Sequence, residues 1–224
     1  MQQIFSTEAY RAANYKFLDY LSLNSNKLGI GSNVDMDNAN IQPYTIRLHA
    51  KLVNGQNTYE FRLKGAIAPL SIEKTLADSD IFQGYAMALC LQQYDPTAPD
   101  FKSGLWSYPD ATQFAAFAPP LELIYAGNTI INTDGTNRLQ NFDNHLFRTA
   151  PGGPTVYGPS FEERGYYVFP SYPILFGSKS NTITVNLAQG STTAIANTGA
   201  NTNNIVILLH GFRFTGISAA GCQV

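Results

Sequence analysis

The stretch of sequence that decides the fold is Ile205-Val206-Ile207-Leu208-Leu209-His210-Gly211-Phe212-Arg213-Phe214. Apolar residues fill consecutive positions over most of this stretch instead of alternating with polar ones. A strand with one solvated face alternates, whereas a strand covered on both faces is apolar throughout. The stretch therefore predicts a strand with another layer of protein packed on each of its faces.

A strand pair is predicted around Asn54-Gly55, a dipeptide typical of two-residue hairpin turns. The residues on both sides of it alternate between apolar and polar, as expected for strands with one buried face. Folding the chain about the dipeptide gives these pairs on the apolar face: Ala50 with Tyr59, Leu48 with Phe61, and Ile46 with Leu63. On the polar face it gives His49 with Glu60 and Arg47 with Arg62.

Further short strands are predicted at residues 84–93, 121–125, 128–132, 165–169 and 181–187. Segments rich in proline and glycine separate these strands, and little helix is predicted between them. Many short strands with such punctuation are typical of an all-β sandwich or barrel. The uncharged segment 190–203 is predicted to be an exposed loop.

One helix is predicted near the start of the sequence, capped by Ser6 or Thr7 and running to about Leu21. Two roles are open for this helix: packing on the β domain, or reaching a neighbouring subunit or a membrane surface. The residues that we assign to such a membrane-facing or assembly arm are Tyr10, Arg11, Lys16, Phe17 and Tyr20.

The composition favours a protein that assembles with partners. Charged residues make up only 13% of the 224 residues, against about 25% in typical globular proteins. Much of the surface must therefore be neutral or covered. The net charge of -2 supplies no broad basic field, so specific nucleic-acid binding is not expected as the main function.

The sequence contains no arrangement of residues typical of catalysis or of metal binding. The segment 158–162 lacks the final glycine of a nucleophile elbow, and 35–40 begins like a calcium loop without the required sixth-position glycine. Three histidines, His49, His145 and His210, have no ligand spacing. Cys90 and Cys222 are expected to be free thiols. We therefore expect no enzyme activity, no cofactor and no metal.

A cluster of aromatic residues lies in the predicted loop 93–110, and its members are Tyr94, Phe101, Trp106 and Tyr108. Aromatic side chains in a loop are typical of subunit interfaces and also of surfaces that stack on sugars. We assign them to a subunit interface, with sugar binding as the alternative.

The segments 165–170, 181–187 and 209–212 are similar to strands of phage capsid proteins. Together with the N-terminal helix and the low charge, they make the chain resemble the double jelly-roll major capsid proteins of tailless icosahedral phages that contain an internal membrane, including phages of Flavobacterium-like hosts. The resemblance implies two small jelly rolls side by side. It also implies a homotrimer that forms pseudo-hexagonal capsomers of an icosahedral shell.

On this basis we expect an N-terminal helical arm at 1–26, a first jelly roll at 27–118 and a second at 119–224. The implied partners are further copies of the chain, penton and minor capsid proteins, and the internal viral membrane through the arm. The protein would be made in the host cytoplasm and reside in the virion. Two alternatives are open: a single jelly-roll minor capsid or penton protein, and a carbohydrate-binding β-sandwich of a receptor-binding or fibre module.

Overall fold

The structure is a computed structural model that describes residues 7–24, 40–63, 76–78, 80–94, 105–106, 118–148, 166–188 and 202–215. Its helices are α1 (Thr7–Leu23), α2 (Ala118–Tyr125) and a 3-10 helix (Asn144–Phe147). Its strands are β1 (Asn40–Lys51), β2 (Thr58–Arg62), β3 (Ile81–Tyr94), β4 (Leu105–Trp106), β5 (Asn128–Thr133), β6 (Thr136–Asp143), β7 (Tyr166–Val168), β8 (Ile174–Phe176), β9 (Asn181–Asn186) and β10 (Thr202–Thr215).

The strands form two antiparallel sheets that enclose one main core. The first, which we call the β1 sheet, has the order β1-β10-β3-β4, with β7 and β8 also pairing with β3. The second, the β2 sheet, has the order β2-β9-β5-β6. β1 thus pairs with β10, β2 with β9 and β3 with β8. Such pairing of early strands with late ones is typical of a jelly roll. The predicted all-β jelly-roll fold is confirmed.

The expected arrangement as two jelly rolls, 27–118 and 119–224, is not what the described strands form. β1 and β3 come from the first range, and both pair with β10 from the second. In the other sheet β2 pairs with β9 in the same way. Both sheets therefore combine strands from both ranges, as in the single jelly roll that was the alternative.

The cover on both faces predicted for residues 205–214 is confirmed. β10 lies between β1 and β3, and Ile205, Ile207 and Leu209 are buried in the core between the sheets. The register of β10 against β3 shifts between His210 and Gly211. Beyond this bulge, Phe212 and Phe214 pack in a second cluster under α1.

Gly211 permits the close approach of β10 to β3 at this bulge. A Cβ atom at position 211 would overlap the backbone carbonyl of Gln83. We expect Gly211→Ala to lower the free energy of unfolding by about 1–3 kcal/mol, because the strands must separate to admit the methyl group. Urea unfolding measures this change. Gly55→Asn is the control, since position 55 is open and asparagine tolerates the φ of 81° found there. Equal stability of the two variants would contradict the prediction.

The predicted hairpin about Asn54-Gly55 is wrong, although its apolar pattern is right. β1 and β2 belong to different sheets, so the chain crosses the sandwich at this turn. The apolar side chains of both strands enter the same core from opposite sides, and they are Ile46, Leu48, Leu52, Tyr59, Phe61 and Leu63. The pairs predicted on the polar face are also wrong. His49 lies opposite Val206 in the register of β1 and β10, and Arg62 forms an ion pair with Glu60 in its own strand.

Residues 121–125, predicted as a strand, instead belong to the helix α2. Two prolines, Pro119 and Pro120, occupy its first turn, where a missing N–H costs nothing. Leu121, Ile124 and Tyr125 are spaced for one helix face and are fully buried. The Tyr125 hydroxyl donates to the Leu89 carbonyl of β3 over 2.8 Å. The helix α2 therefore packs its buried face into the core between the sheets.

Candidate binding and assembly surfaces

The helix α1 confirms the predicted helix and packs on the outer face of the β1 sheet. Ala13, Phe17 and Leu21 form its buried stripe. They share a cluster with Phe212 and Phe214 of β10. Phe17, which we assigned to a membrane-facing or assembly arm, therefore points into the protein.

The other residues assigned to the arm lie at different depths. Arg11 and Lys16 are exposed, and Tyr20 is half-buried. The Lys16 ammonium nitrogen lies 5.7 Å from the ring centroid of Tyr172, a cation–π contact that ties the helix to the β domain. Tyr10 lies within α1, but its side chain is outside what the structure describes.

The predicted interface loop at 93–110 is only partly within the described residues. Tyr94 ends β3 and Trp106 ends β4, and the two strands pair with Trp106 opposite Leu91. The backbones of Tyr94 and Trp106 therefore lie in adjacent strands. Their side chains, together with Phe101 and Tyr108, are outside the described part of the chain. The exposed loop predicted at 190–203 lies outside it too, except for its last two residues, which begin β10.

A cluster of polar groups that the sequence did not predict lies on the outer face of the β1 sheet. Arg47 donates through Nε to Nε2 of His49 over 2.7 Å. His49 must accept this bond in its neutral form, because both ring nitrogens of a charged imidazole carry protons. Burial, and then the positive charge of Arg47, lower the pKa of His49 to about 4. The side chain therefore stays neutral at physiological pH.

A second histidine lies farther along the same outer face. His210 of β10 stands opposite Thr45 of β1, and its Nδ1 lies 2.9 Å from the Thr45 hydroxyl oxygen. Burial lowers the pKa of His210 as well. Both histidines on this face thus favour the neutral state. His49 contacts Arg47 of its own strand, and His210 contacts Thr45 of the adjacent strand β1.

The thiol of Cys90 lies on this outer face and has low reactivity. Cys90 is a free, buried cysteine, which agrees with the prediction for this residue. Burial raises its pKa to about 12. The reactive form of cysteine is the thiolate, so Cys90 is a poor nucleophile at neutral pH. Burial also raises the pKa of the neighbouring Tyr166 to about 12.

A buried carboxyl group, that of Asp80, lies in the turn before β3. Asp80 is 4% exposed, and its Oδ2 accepts the Ala77 N–H over 3.0 Å and lies 3.7 Å from Arg213 Nη1. The Arg213 guanidinium also lies over the ring of Tyr44, 4.3 Å from its centroid. These contacts tie the ends of β1 and β10 to the turn before β3, so we interpret the group as structural.

The outer face of the β2 sheet carries a ladder of neutral amides and hydroxyls, which we call the amide ladder. It consists of Thr58, Asn128, Asn132, Asn137, Thr182, Thr184 and Asn186. Across three strands, Thr58 Oγ1 donates to Asn186 Oδ1 over 3.1 Å, and Asn186 Nδ2 donates to Asn128 Oδ1 over 2.8 Å. Charged residues also lie on this face: Glu60 and Arg62 of β2 stand opposite Thr184 and Thr182, and Asp143 of β6 stands opposite Asn128.

Within the described residues, no three His, Cys, Asp or Glu side chains come together as a metal site. His145 lies exposed on the 3-10 helix, away from the outer face that holds His49 and His210. No helix among the described residues is long and apolar enough to cross a membrane. The segments 35–40 and 158–162, considered above for calcium binding and catalysis, lie outside the described residues.

Comparison with known proteins gives no relative of this chain: no family model, curated protein or solved structure matches it.

Proposed function

We propose that this chain is a structural subunit of an icosahedral viral shell, built as one jelly roll. The observation that carries the proposal is the amide ladder on the β2 sheet, a set of neutral hydroxyl and amide groups on one face of a jelly-roll sandwich. Neutral polar groups of this kind can be buried against a neighbouring subunit without the cost of removing charges from water. The low share of charged residues, 13%, supports the same conclusion.

The kind of shell subunit that we propose depends on the number of jelly rolls in each chain. A trimer with a pseudo-hexagonal outline needs two jelly rolls in each chain, whereas the described strands form one. We therefore favour the single jelly-roll subunit of a shell or of its vertices, located in the virion. The exposed Arg11 and Lys16 of α1 remain the proposed contacts to neighbouring subunits or to an internal membrane.

The experiment that tests the proposal measures the mass of the purified protein by light scattering, followed by negative-stain imaging of the same fraction. We expect rings or closed shells. A protein that forms nothing larger than a dimer at every concentration reached would contradict the proposal.

A charge placed in the amide ladder tests the surface that carries the proposal. Thr184 lies in β9, between Glu60 of β2 and Ile130 of β5. We expect Thr184→Arg to reduce assembly about tenfold or more, because a contact at this face would then have to accommodate a large side chain and remove its charge from water. Ser178→Arg, at an exposed turn, is the matched control. Equal assembly of both variants, with both folded by circular dichroism, would remove the amide ladder from the contact.

Carbohydrate binding is the second candidate, and the chemistry of the amide ladder is the observation that favours it. Side-chain amides and hydroxyls both donate and accept hydrogen bonds, as sugar hydroxyls do. Many ladder groups already bond to one another, for example Asn132 Nδ2 to Asn137 Oδ1 over 2.9 Å. This internal bonding leaves fewer groups for a sugar and is the reason for ranking the candidate second. A stable monomer that binds a glycan array, and loses binding in Thr184→Arg, would establish it.

A further inference from the structure

The edges of the two sheets differ in their capacity to pair with another chain. An edge strand presents unpaired backbone N–H and C=O groups, and proteins protect such strands with proline, charges or bulges. Among the described strands, β1 and β2 end their sheets on one side of the sandwich, and β6 ends the β2 sheet on the other side. The β1 sheet ends there in β4, β7 and β8, which have only two or three residues each, and very short edge strands offer little to pair with. Each edge can therefore be judged by the protection it carries.

The edge strand β1 is poorly suited to pairing with a second copy of itself. Pro43 removes one backbone donor from the strand. Arg47, His49 and Lys51 follow at alternate positions, so they share one face of it. Antiparallel pairing of two copies centred on His49 would place Arg47 opposite Lys51 of the partner subunit, a repulsion between like charges.

The edge strand β6 is irregular. Its register against β5 shifts between Thr129 and Ile131 and again between Ile131 and Asn132. Within β6, Asn141 adopts a positive φ of 47°. Such irregularities bend a strand and interrupt its row of hydrogen-bonding groups. The edge is therefore protected against continuous pairing.

Among its described residues, the edge strand β2 has neither a proline nor an irregularity, and its two charged residues are of opposite sign. Its five residues pair with β9 without a register shift. At the two ends of this pairing, Leu63 N donates to Asn181 O over 3.1 Å, and Leu187 N donates to Asn57 O over 2.8 Å. The odd-numbered backbone groups therefore face β9. Because backbone groups alternate along a strand, those of Glu60 and Arg62 face outward.

The two outward positions of β2 also carry opposite charges. Glu60 and Arg62 form an ion pair of 2.9 Å within the strand, and their side chains are 48% and 74% exposed, respectively. When two copies pair antiparallel about a two-fold axis at Phe61, each Glu60 lies opposite Arg62 of the partner subunit. Each such pair would exchange two backbone hydrogen bonds, since both residues face the free edge. The edge is complementary to itself in charge and in hydrogen bonding, as a two-fold contact requires.

We propose that β2 is the edge at which a second copy of this chain joins the β2 sheet, antiparallel and centred on Phe61. The contact is small, so the pair is weak and depends on concentration. The inference is independent of the proposed shell function, because a chain that builds no shell can still pair at β2. A shell held by other surfaces can likewise lack this pair.

Charge reversal tests this register directly. We expect Glu60→Arg and Arg62→Glu each to raise the dissociation constant of the pair about tenfold or more, because each places like charges opposite one another twice. The double variant Glu60→Arg/Arg62→Glu restores complementary pairs and should return the dissociation constant to near the wild-type value. Sedimentation equilibrium over a dilution series measures these constants. Lys179→Glu is the matched control for Arg62→Glu, because it makes the same change in net charge in an exposed ion pair outside β2.

A variant that alters the backbone tests the contribution of backbone hydrogen bonds to pairing. Glu60→Pro removes an N–H that faces the free edge and leaves the bonds to β9 in place, so it should abolish pairing while the circular dichroism spectrum stays that of the wild type. If Glu60→Pro disturbs the fold, the charge variants decide. A wild-type protein with no self-association, single variants that match Lys179→Glu, or a double variant that fails to restore pairing would each overturn the proposal. Loss of shells in Thr184→Arg with pairing at β2 intact would concern the proposed function alone.

Discussion

Replacing Phe17 by alanine is expected to lower the free energy of unfolding by about 3–5 kcal/mol. The side chain is 0% exposed and packs with Phe212 and Phe214 of β10 beneath α1. Removing the ring leaves a cavity that neither the helix nor the sheet can fill. Urea unfolding followed by circular dichroism measures the change, and hydrogen exchange shows whether α1 opens first.

Tyr15→Ala is the matched control for this prediction, because Tyr15 lies on the same helix and is 67% exposed. Its replacement should change stability by no more than about 0.5 kcal/mol. The comparison also separates the two roles considered for the helix. If Phe17 served only to reach a membrane or a neighbouring subunit, the two variants of the isolated protein would have the same stability.

Acidification is expected to destabilise the fold through His49. In the unfolded chain a histidine has a pKa of about 6.5, whereas the pKa of His49 in the folded protein is about 4. Between these values the unfolded state binds a proton that the folded state does not, so stability falls as the pH falls. The full difference amounts to about 3 kcal/mol and is lost between pH 6.5 and pH 4. Above pH 6.5 the group is neutral in both states and makes no pH-dependent contribution.

Urea unfolding at pH 7 and at pH 4 measures this effect in the wild type and in His49→Gln. We expect the wild type to lose about 3 kcal/mol more than the variant over this interval. Carboxylates titrate in both proteins and cancel in the difference. His210 contributes in the same direction, since burial lowers its pKa too. His145→Gln, at an exposed position, should behave as the wild type. An equal loss in the wild type and His49→Gln would disprove the assignment.

The spacing of apolar residues predicted the first helix and several of the strands, but not α2, whose residues 121–125 were predicted as a strand. Apolar residues near the start of the sequence recur at helical spacing, and α1 buries Ala13, Phe17 and Leu21. The consecutive apolar residues of β10 predicted a strand covered on both faces, and that strand lies between β1 and β3. These features depend on the local sequence alone.

Strand partners could not be predicted in the same way, as two turns show. Asn54-Gly55 fits a two-residue hairpin, yet β1 pairs with β10 and β2 with β9. The true two-residue turn is Asp134-Gly135, with φ values of 51° and 79°, where Thr133 pairs with Thr136. Asp-Gly is as strong a hairpin signal as Asn-Gly. The difference is that β1 and β2 find partners far away in the sequence, which no local pattern reveals.

The polar cluster on the β1 sheet could not be predicted from the sequence for the same reason. Strand alternation correctly placed Arg47 and His49 on one face, but it gave them the wrong neighbours. Their surroundings are set by β10 and β3, since Val206 lies opposite both His49 and Cys90. The low pKa of His49 follows from this burial, so it required the tertiary structure.

The pairing of the first strand with the last has a consequence for the synthesis of the protein. β10 ends at Thr215, and both β1 and β3 depend on it for their hydrogen bonds. On the ribosome these two long strands emerge well before their shared partner, so the β1 sheet cannot close until β10 has emerged too. Folds dominated by such distant contacts form slowly, and their unpaired strands are prone to aggregation in the meantime. The nascent chain is therefore expected to depend on chaperones until residue 215 has left the ribosomal exit tunnel.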